Sequence, residues 1–158
     1  LDSMQFQIQN AGAEFEIEAL PACHADEKQV RQVFGNLLDN ALKYLDPDRQ
    51  GQIRISGRIE GGMSVYRIED NGVGMDPAHC QNIFRPFHRL DPSSGAPGEG
   101  LGLTIVSRII ERHHGSIAVE SRPGVGSCVI VSLPTGPHRP AGESALGCSQ
   151  AIVRQPIA

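Results

Sequence analysis

Between Gln52 and Asp70 the chain carries two alternating apolar runs with only Gly61-Gly62 between them. A parallel pair needs a crossover of about a dozen residues or more, so two glycines commit these runs to an antiparallel hairpin. In the first run Ile53, Ile55, Gly57 and Ile59 share one face, opposite Arg54, Ser56 and Arg58; in the second, Val65 alternates with Tyr66 and Ile68. One face of the hairpin is therefore apolar and must be covered. The segment before it supplies a cover. Val30, Val33, Phe34, Leu37, Leu38 and Ala41 recur at helical spacing behind Asp26, a candidate N-cap, and Asp46-Pro47-Asp48 provides a stop and a turn. Phe15-Glu16-Ile17-Glu18 reads as a short strand ahead of Leu20-Pro21, and Pro77 opens a short helix reaching Phe84. Leu103, Ile105, Val106, Ile109 and Ile110 form a second helical stripe ending near His113-His114-Gly115. Ile117, Val119 and Ser121 then alternate, Pro123-Gly124-Val125-Gly126 turns, and Cys128, Ile130 and Ser132 oppose Val129, Val131 and Leu133 on a last strand. The expected fold is an α/β two-layer sandwich. Its sheet is mixed, largely antiparallel and packed against helices, without strict βαβ repetition.

The 158 residues suit one domain, and a formal charge of -4 gives no general attraction to nucleic acid or anionic membrane. No apolar run has membrane-spanning length and no signal-peptide pattern is present. Cys23, Cys80, Cys128 and Cys148 lack the close pairs of structural zinc sites, which favours reduced thiols in an intracellular compartment. The neighbours Cys23-His24, His79-Cys80 and His113-His114 admit a metal reading, but equally a core thiol beside a surface imidazole. Leu1, Met4 and Ile8 fit the end of a helix, whereas Met4, Phe6 and Ile8 fit a strand. Residues 135–158, rich in Pro, Gly, Ala and Ser, are expected to form a flexible tail.

Two glycine clusters mark places where backbone approaches something closely: Asp70-Asn71-Gly72-Val73-Gly74 and Gly98-Glu99-Gly100-Leu101-Gly102-Leu103. Between them, Arg85 to Gly100 is breaker-rich and without periodicity, as expected of a mobile loop or lid. Asn36 and Asn40 share a helix face and Lys43, one of only two lysines, lies a turn beyond. Two amides and an ammonium on one ridge suit a divalent ion and phosphate oxygens, although interior asparagines also serve local structure. Tyr44 can stack on a flat heterocycle or cover a core edge. Asp70 can accept from an exocyclic amino group or close an Asx turn, with Gly72 and Gly74 leaving room beside a base. Glycines from Gly98 to Gly102 can admit a triphosphate to the N–H groups opening the next helix, with Thr104 adding a hydroxyl. A P-loop is excluded by the missing Gly-Lys-Ser/Thr ending, and a dinucleotide fingerprint by the missing strand and parallel crossover.

Taken together, these motifs resemble the ATP-binding catalytic domain of bacterial sensor histidine kinases, in the gyrase, Hsp90, histidine kinase and MutL ATPase superfamily. The resemblance covers about Phe15 to Pro134. Asn36-Leu37-Leu38-Asp39-Asn40-Ala41-Leu42-Lys43-Tyr44 is similar to the N box and Asp70 to Gly74 to the first glycine box. Phe84-Arg85-Pro86-Phe87 is similar to the F box and Gly98 to Leu103 to the second glycine box. It implies a Bergerat-type fold with a mobile ATP lid: residues 1–12 as the end of a linker from a dimerisation helix, 13–134 as the catalytic domain. The resemblance makes Asn40 the magnesium ligand, Lys43 and Arg89 phosphate contacts, Tyr44 an adenine neighbour and Asp70 the adenine reader. Asn36 supports the metal-phosphate region; Gly72, Gly74, Gly98, Gly100, Leu101, Gly102, Leu103 and Thr104 complete the nucleotide site. Arg85 stands at a commonly acidic F-box position, and His114 replaces part of a frequent glycine pair.

The implied reaction moves the gamma phosphate of ATP, with Mg2+, to a histidine on a separate helical dimerisation and phosphoacceptor domain, and thence to a response-regulator receiver. None of the six histidines lies in a phosphoacceptor-type helix, so the chain is not expected to autophosphorylate alone. Asparagine at position 36 lacks the basicity to activate water, which favours transfer over hydrolysis. The implied setting is a cytoplasmic domain of a soluble or membrane-anchored parent. Competing readings are a protein-partner switch or serine kinase of the same superfamily, and a noncatalytic nucleotide-binding module.

Overall fold

The computed structural model describes residues 12–80, 82–84 and 102–136. The expected linker, lid and most of the tail, at 1–11, 85–101 and 137–158, lie outside the described residues. In chain order the elements are β1 (Glu14–Ile17), α1 (Glu27–Lys43), β2 (Gln52–Glu60), β3 (Met63–Asp70), α2 (Pro77–Cys80), α3 (Gly102–Arg112), β4 (Ser116–Arg122) and β5 (Gly126–Pro134). The strands form one sheet in the order β1-β2-β3-β5-β4. Only β1 and β2 run parallel, and α1 is the crossover between them, so a single βαβ unit sits at one edge of an otherwise antiparallel sheet. The hairpin register pairs Ile55 with Ile68 and Ile53 with Asp70, which puts Asp70 on the helix-facing side at the end of β3.

Local signals explain the helices. The Asp26 carboxylate accepts from the Gln29 N–H at 2.9 Å, capping α1 as its sequence predicts. The stripe Val33, Leu37, Leu38 and Ala41 is buried against Ile53, Ile55, Tyr66 and Ile68 from the sheet and Val106, Ile109 and Ile110 from α3. At the end of α3, Gly115 N–H reaches Ile110 O at 2.9 Å and His114 takes a φ of 57°. This is a Schellman-type stop in which a histidine occupies the left-handed position that glycine usually fills. A smaller cluster of Cys80, Ile83 and Val119 lies under α2, and Phe84, Leu103 and Val129 pack against both clusters.

Two expectations differ from the structure. The regular part of α2 ends at Cys80, and the turn at 82–84 carries the chain on to Phe84. Ile59 continues the inward alternation of β2 yet is 63% exposed. The segment from Leu20 to Ala22 explains this: it crosses over Gly57, Tyr66 and Ser64, with the Tyr66 hydroxyl donating to Pro21 O and the Ser64 hydroxyl to Ala22 O, and leaves the strand end uncovered. No helix among the described residues is long and apolar enough to cross a membrane.

Candidate nucleotide site

Asp70 divides its two oxygens. Oδ1 accepts from Gly72 N–H at 2.9 Å and from Ser127 N–H at 3.2 Å, while Oδ2 has no partner among the described residues. The first bond is an Asx turn, so the structural and the ligand-reading roles expected of this residue coexist on different atoms. Burial pushes the Asp70 carboxyl up from its ordinary value; the Gly72 and Ser127 N–H groups and the nearby Arg49 charge oppose that shift. A half-buried acid with one oxygen unpartnered among the described residues is suited to accept from an amino group of a planar ligand.

The glycines beside it work differently from expectation. A Cβ on Gly72 would stand 2.2 Å from Tyr44 O, and one on Gly74, whose φ is 66°, would stand 1.9 Å from Arg122 O. The room that Gly72 and Gly74 create is filled by protein backbone. Gly72 lets the turn lie on the end of α1, where Val73 N–H donates to Tyr44 O at 2.9 Å, and Gly74 lets it lie on β4. Further residues, most of them outside the motifs, fasten the same turn. The Asn71 amide donates to Gln50 O and its oxygen accepts from Gln52 N–H, each at 2.8 Å. Met75 N–H donates to Ser121 Oγ at 2.9 Å, and Ser121 Oγ meets Ser127 Oγ at 2.9 Å. Arg49 donates to Gly72 O at 2.7 Å. Partners such as Ser127 are far away in the chain, and a serine on a strand carries no local signal of this duty.

On the helix side, α1 and α3 bring Asn36 beside Gly102. The nearest atoms to a Cβ on Gly102 belong to the Asn36 side chain, at 3.8 to 4.0 Å. Asn36 Nδ2 is buried without a hydrogen-bond partner among the described residues, a costly state that a ligand oxygen would relieve. Asn40 lies one turn further on the same ridge, its carboxamide likewise unpartnered among the described residues, and its carbonyl accepts from Tyr44 N–H. Lys43 holds its ammonium 5.2 Å from the Tyr44 ring centroid, a cation–π distance. Thus α1 joins the two ends: Asn36 faces Gly102, while Tyr44 meets Gly72, about 12 Å away by helical rise.

The Thr104 hydroxyl donates to Phe84 O at 3.3 Å and the residue is buried, which fastens α3 to the segment after α2. Leu103 packs into both apolar clusters. Arg89, Gly98, Gly100 and Leu101 lie outside the described residues.

Comparison with known proteins places this geometry. Residues 25–137 match the model of the histidine kinase-, DNA gyrase B- and HSP90-like ATPase family. The chain is 40% identical over 136 residues to the phytochrome-like protein Cph1 of Synechocystis, covering 86% of this chain and 18% of the relative. It is 42% identical over 118 residues to the methanogenesis regulatory histidine kinase FilI of Methanothrix harundinacea, covering 75% of this chain and 13% of that protein. Among solved structures, the mycobacterial sensor histidine kinase MprB superposes with a TM-score of 0.75 at 27% identity, covering 87% of this chain and 93% of that one. Full-length ShkA in complex with AMPPNP gives 0.71 at 29% identity, covering 84% and 28% respectively. The chain thus spans under a fifth of the length of these two curated relatives, and nearly all of the MprB chain.

Proposed function

This chain belongs to the histidine kinase-, DNA gyrase B- and HSP90-like ATPase family, and we propose that it binds Mg-ATP and donates the gamma phosphate to a histidine on a separate helical phosphoacceptor domain. The observation that carries the reading is the pairing of unpartnered polar groups along α1. Asp70 Oδ2 stands at the Tyr44 end and the buried Asn36 Nδ2 at the Gly102 end. In this reading Asp70 accepts from the adenine amino group beside Tyr44, and Asn36 and Lys43 address phosphate. The α3 N-terminus, with Gly102, adds backbone donors to the phosphates. Arg89, Gly98, Gly100 and Leu101 would complete the phosphate end.

The donor set fits magnesium. Asn40 offers a neutral carboxamide oxygen with no partner among the described residues, on the ridge between the base and phosphate ends. Asn40 would hold the ion with phosphate oxygens, and the ion would neutralise phosphate charge when bound. Asn36 and Lys43 orient the phosphates from the same helix. In the transfer itself the bond from the gamma phosphorus to the bridging oxygen breaks and a bond to an incoming imidazole nitrogen forms. ADP leaves, and the imidazole retains the phosphoryl group for a receiver aspartate. Asn36, a neutral amide, does not supply a base for water.

Transfer assays with and without the parent's helical domain test the proposal. Phosphohistidine is expected only with that domain present. Robust histidine phosphorylation of this chain alone overturns the division of labour. ATP binding without transfer to a correctly supplied acceptor favours a noncatalytic module, and phosphoserine as the product favours the serine-kinase reading.

A further inference from the structure

Asp70 Oδ1 is held by two N–H groups that belong to segments far apart in the chain: Gly72 in the turn after β3 and Ser127 at the start of β5. One side chain outside all the recognised motifs grips both segments. Arg49 Nη2 donates to Gly72 O at 2.7 Å and reaches Val125 O, two residues before Ser127, at 3.4 Å. The guanidinium is aimed by its own turn. Pro47 follows Asp46, Arg49 N–H points to Asp46 O at 3.4 Å, Asp48 N–H is held by Asp46 Oδ1 at 3.0 Å, and Asp46 Oδ2 faces Arg49 Nε at 3.4 Å.

We propose that Arg49 is a positioning residue for base recognition, clamping together the two segments whose N–H groups orient Asp70, and that nucleotide binding depends on its charge as well as its hydrogen bonds. The inference rests on the nucleotide reading above and adds a residue to it. Arg49 touches no reacting atom; it acts through Asp70. Its positive charge favours the carboxylate form, the stronger acceptor at Oδ2, against the burial that favours the acid.

The other charged and titratable groups around the turn do not replace it. Asp46 is turned to Arg49 itself. Glu69 lies on the opposite face of β3, where it pairs with Arg67 at 3.7 Å. Cys128 of β5 sits opposite Glu69, and burial pushes its thiol up to about 12, so it is neutral near neutrality. Arg122 of β4 presents its backbone carbonyl to Gly74, and Lys43 at the end of α1 leans over Tyr44.

Calorimetric ATP titrations of the full chain across the acidic to neutral range test this, using wild type, Arg49→Gln and Arg49→Lys with melting curves for each. Ligand protonation is common to all three and cancels in the comparison. Arg49→Gln is expected to weaken ATP roughly tenfold at neutral pH, as the loss of charge-assisted hydrogen bonds implies, and to move the acid limb of binding toward neutrality. Arg49→Lys keeps the charge but loses the planar group that Asp46 orients at Nε while Nη2 meets the carbonyls, so its affinity falls while its acid limb stays near wild type. A purely structural arginine would lower melting in both variants and leave the acid limb in place in both, which overturns the proposal. If Arg49→Gln is unfolded at the assay temperature, Arg49→Lys decides: weakened affinity in a chain that melts like wild type upholds the clamp, whereas wild-type affinity, or an affinity loss that comes only with lowered melting, overturns it. Wild-type chain that binds no ATP overturns the nucleotide reading and this inference with it, whereas wild-type binding with unaltered variants overturns this inference alone.

Discussion

At the scale of single residues, Asp70 shows how a fold and a ligand can share one side chain. Its Oδ1 satisfies Gly72 and Ser127 N–H groups, and its Oδ2 is left for a ligand. Burial raises the carboxyl above its ordinary value, so the apo fold disfavours the ionised form. For an acid shifted upward the folded chain binds the proton more tightly than the unfolded one. Stability therefore falls as pH rises from the unfolded value through the folded one, and the deficit is fully present above both. Asparagine removes that deficit while its oxygen can still accept both N–H groups. Asp70→Asn should accordingly melt at or above the wild-type temperature at neutral pH. It should nevertheless bind ATP roughly 10- to 100-fold more weakly, because an amide N–H would then face the adenine amino group. Melting curves and ATP titrations on the same samples check this. A lower melting temperature with unchanged affinity would mean that Oδ2 faces no base.

At the scale of elements, α3 is fixed at both ends by side chains. The Asp26 N–H that opens α1 donates to His113 Nε2 at 3.1 Å, which places the imidazole proton on Nδ1, where Ile109 O accepts at 2.8 Å. The His113 ring thereby joins the start of α1 to the end of α3. At the other end Thr104 holds Phe84 O. Thr104→Val keeps the branched shape and removes only the hydroxyl, so it should cost about 1 kcal/mol of stability and leave ATP affinity within about twofold. The reverse result, intact stability with weakened ATP, would return the hydroxyl to the phosphates. Sequence pattern made α1, α3 and the β2–β3 hairpin legible because their signals are local: a stripe, an N-cap, a two-glycine turn. It also marked Gly72 and Gly74 as points of close approach. What approaches them was not legible, since Tyr44 O and Arg122 O come from other elements. Arg49 and Ser127 escaped for the same reason, reaching the Asp70 turn across sequence separations of 23 and 57 residues.

At the scale of the molecule, the sheet separates ligand recognition from closure of the core. Asp70 pairs with Ser127 at one end of the β3–β5 ladder, and Leu133 lies six residues further along β5, about 20 Å away by strand rise. Leu133 is fully buried in the larger cluster, and its side chain packs near Gly115 at the end of α3. Truncation there should be felt by the whole fold and not by the site. Leu133→Ala is expected to cost about 2–5 kcal/mol, the range for large-to-small core changes. ATP stabilises whatever fraction is folded by mass action, about 2.7 kcal/mol at a free concentration one hundred times the dissociation constant. Sites this far apart with no shared partner contribute additively. The ATP-induced gain in unfolding free energy should therefore be equal in wild type and Leu133→Ala when each is measured at the same multiple of its dissociation constant, and the constants themselves should agree. At the wild-type saturating concentration Asp70→Asn should gain distinctly less. Denaturant unfolding with and without ATP measures all three. A Leu133→Ala chain with weakened ATP binding would show instead that core closure at the far end of β5 is transmitted along the ladder to Asp70.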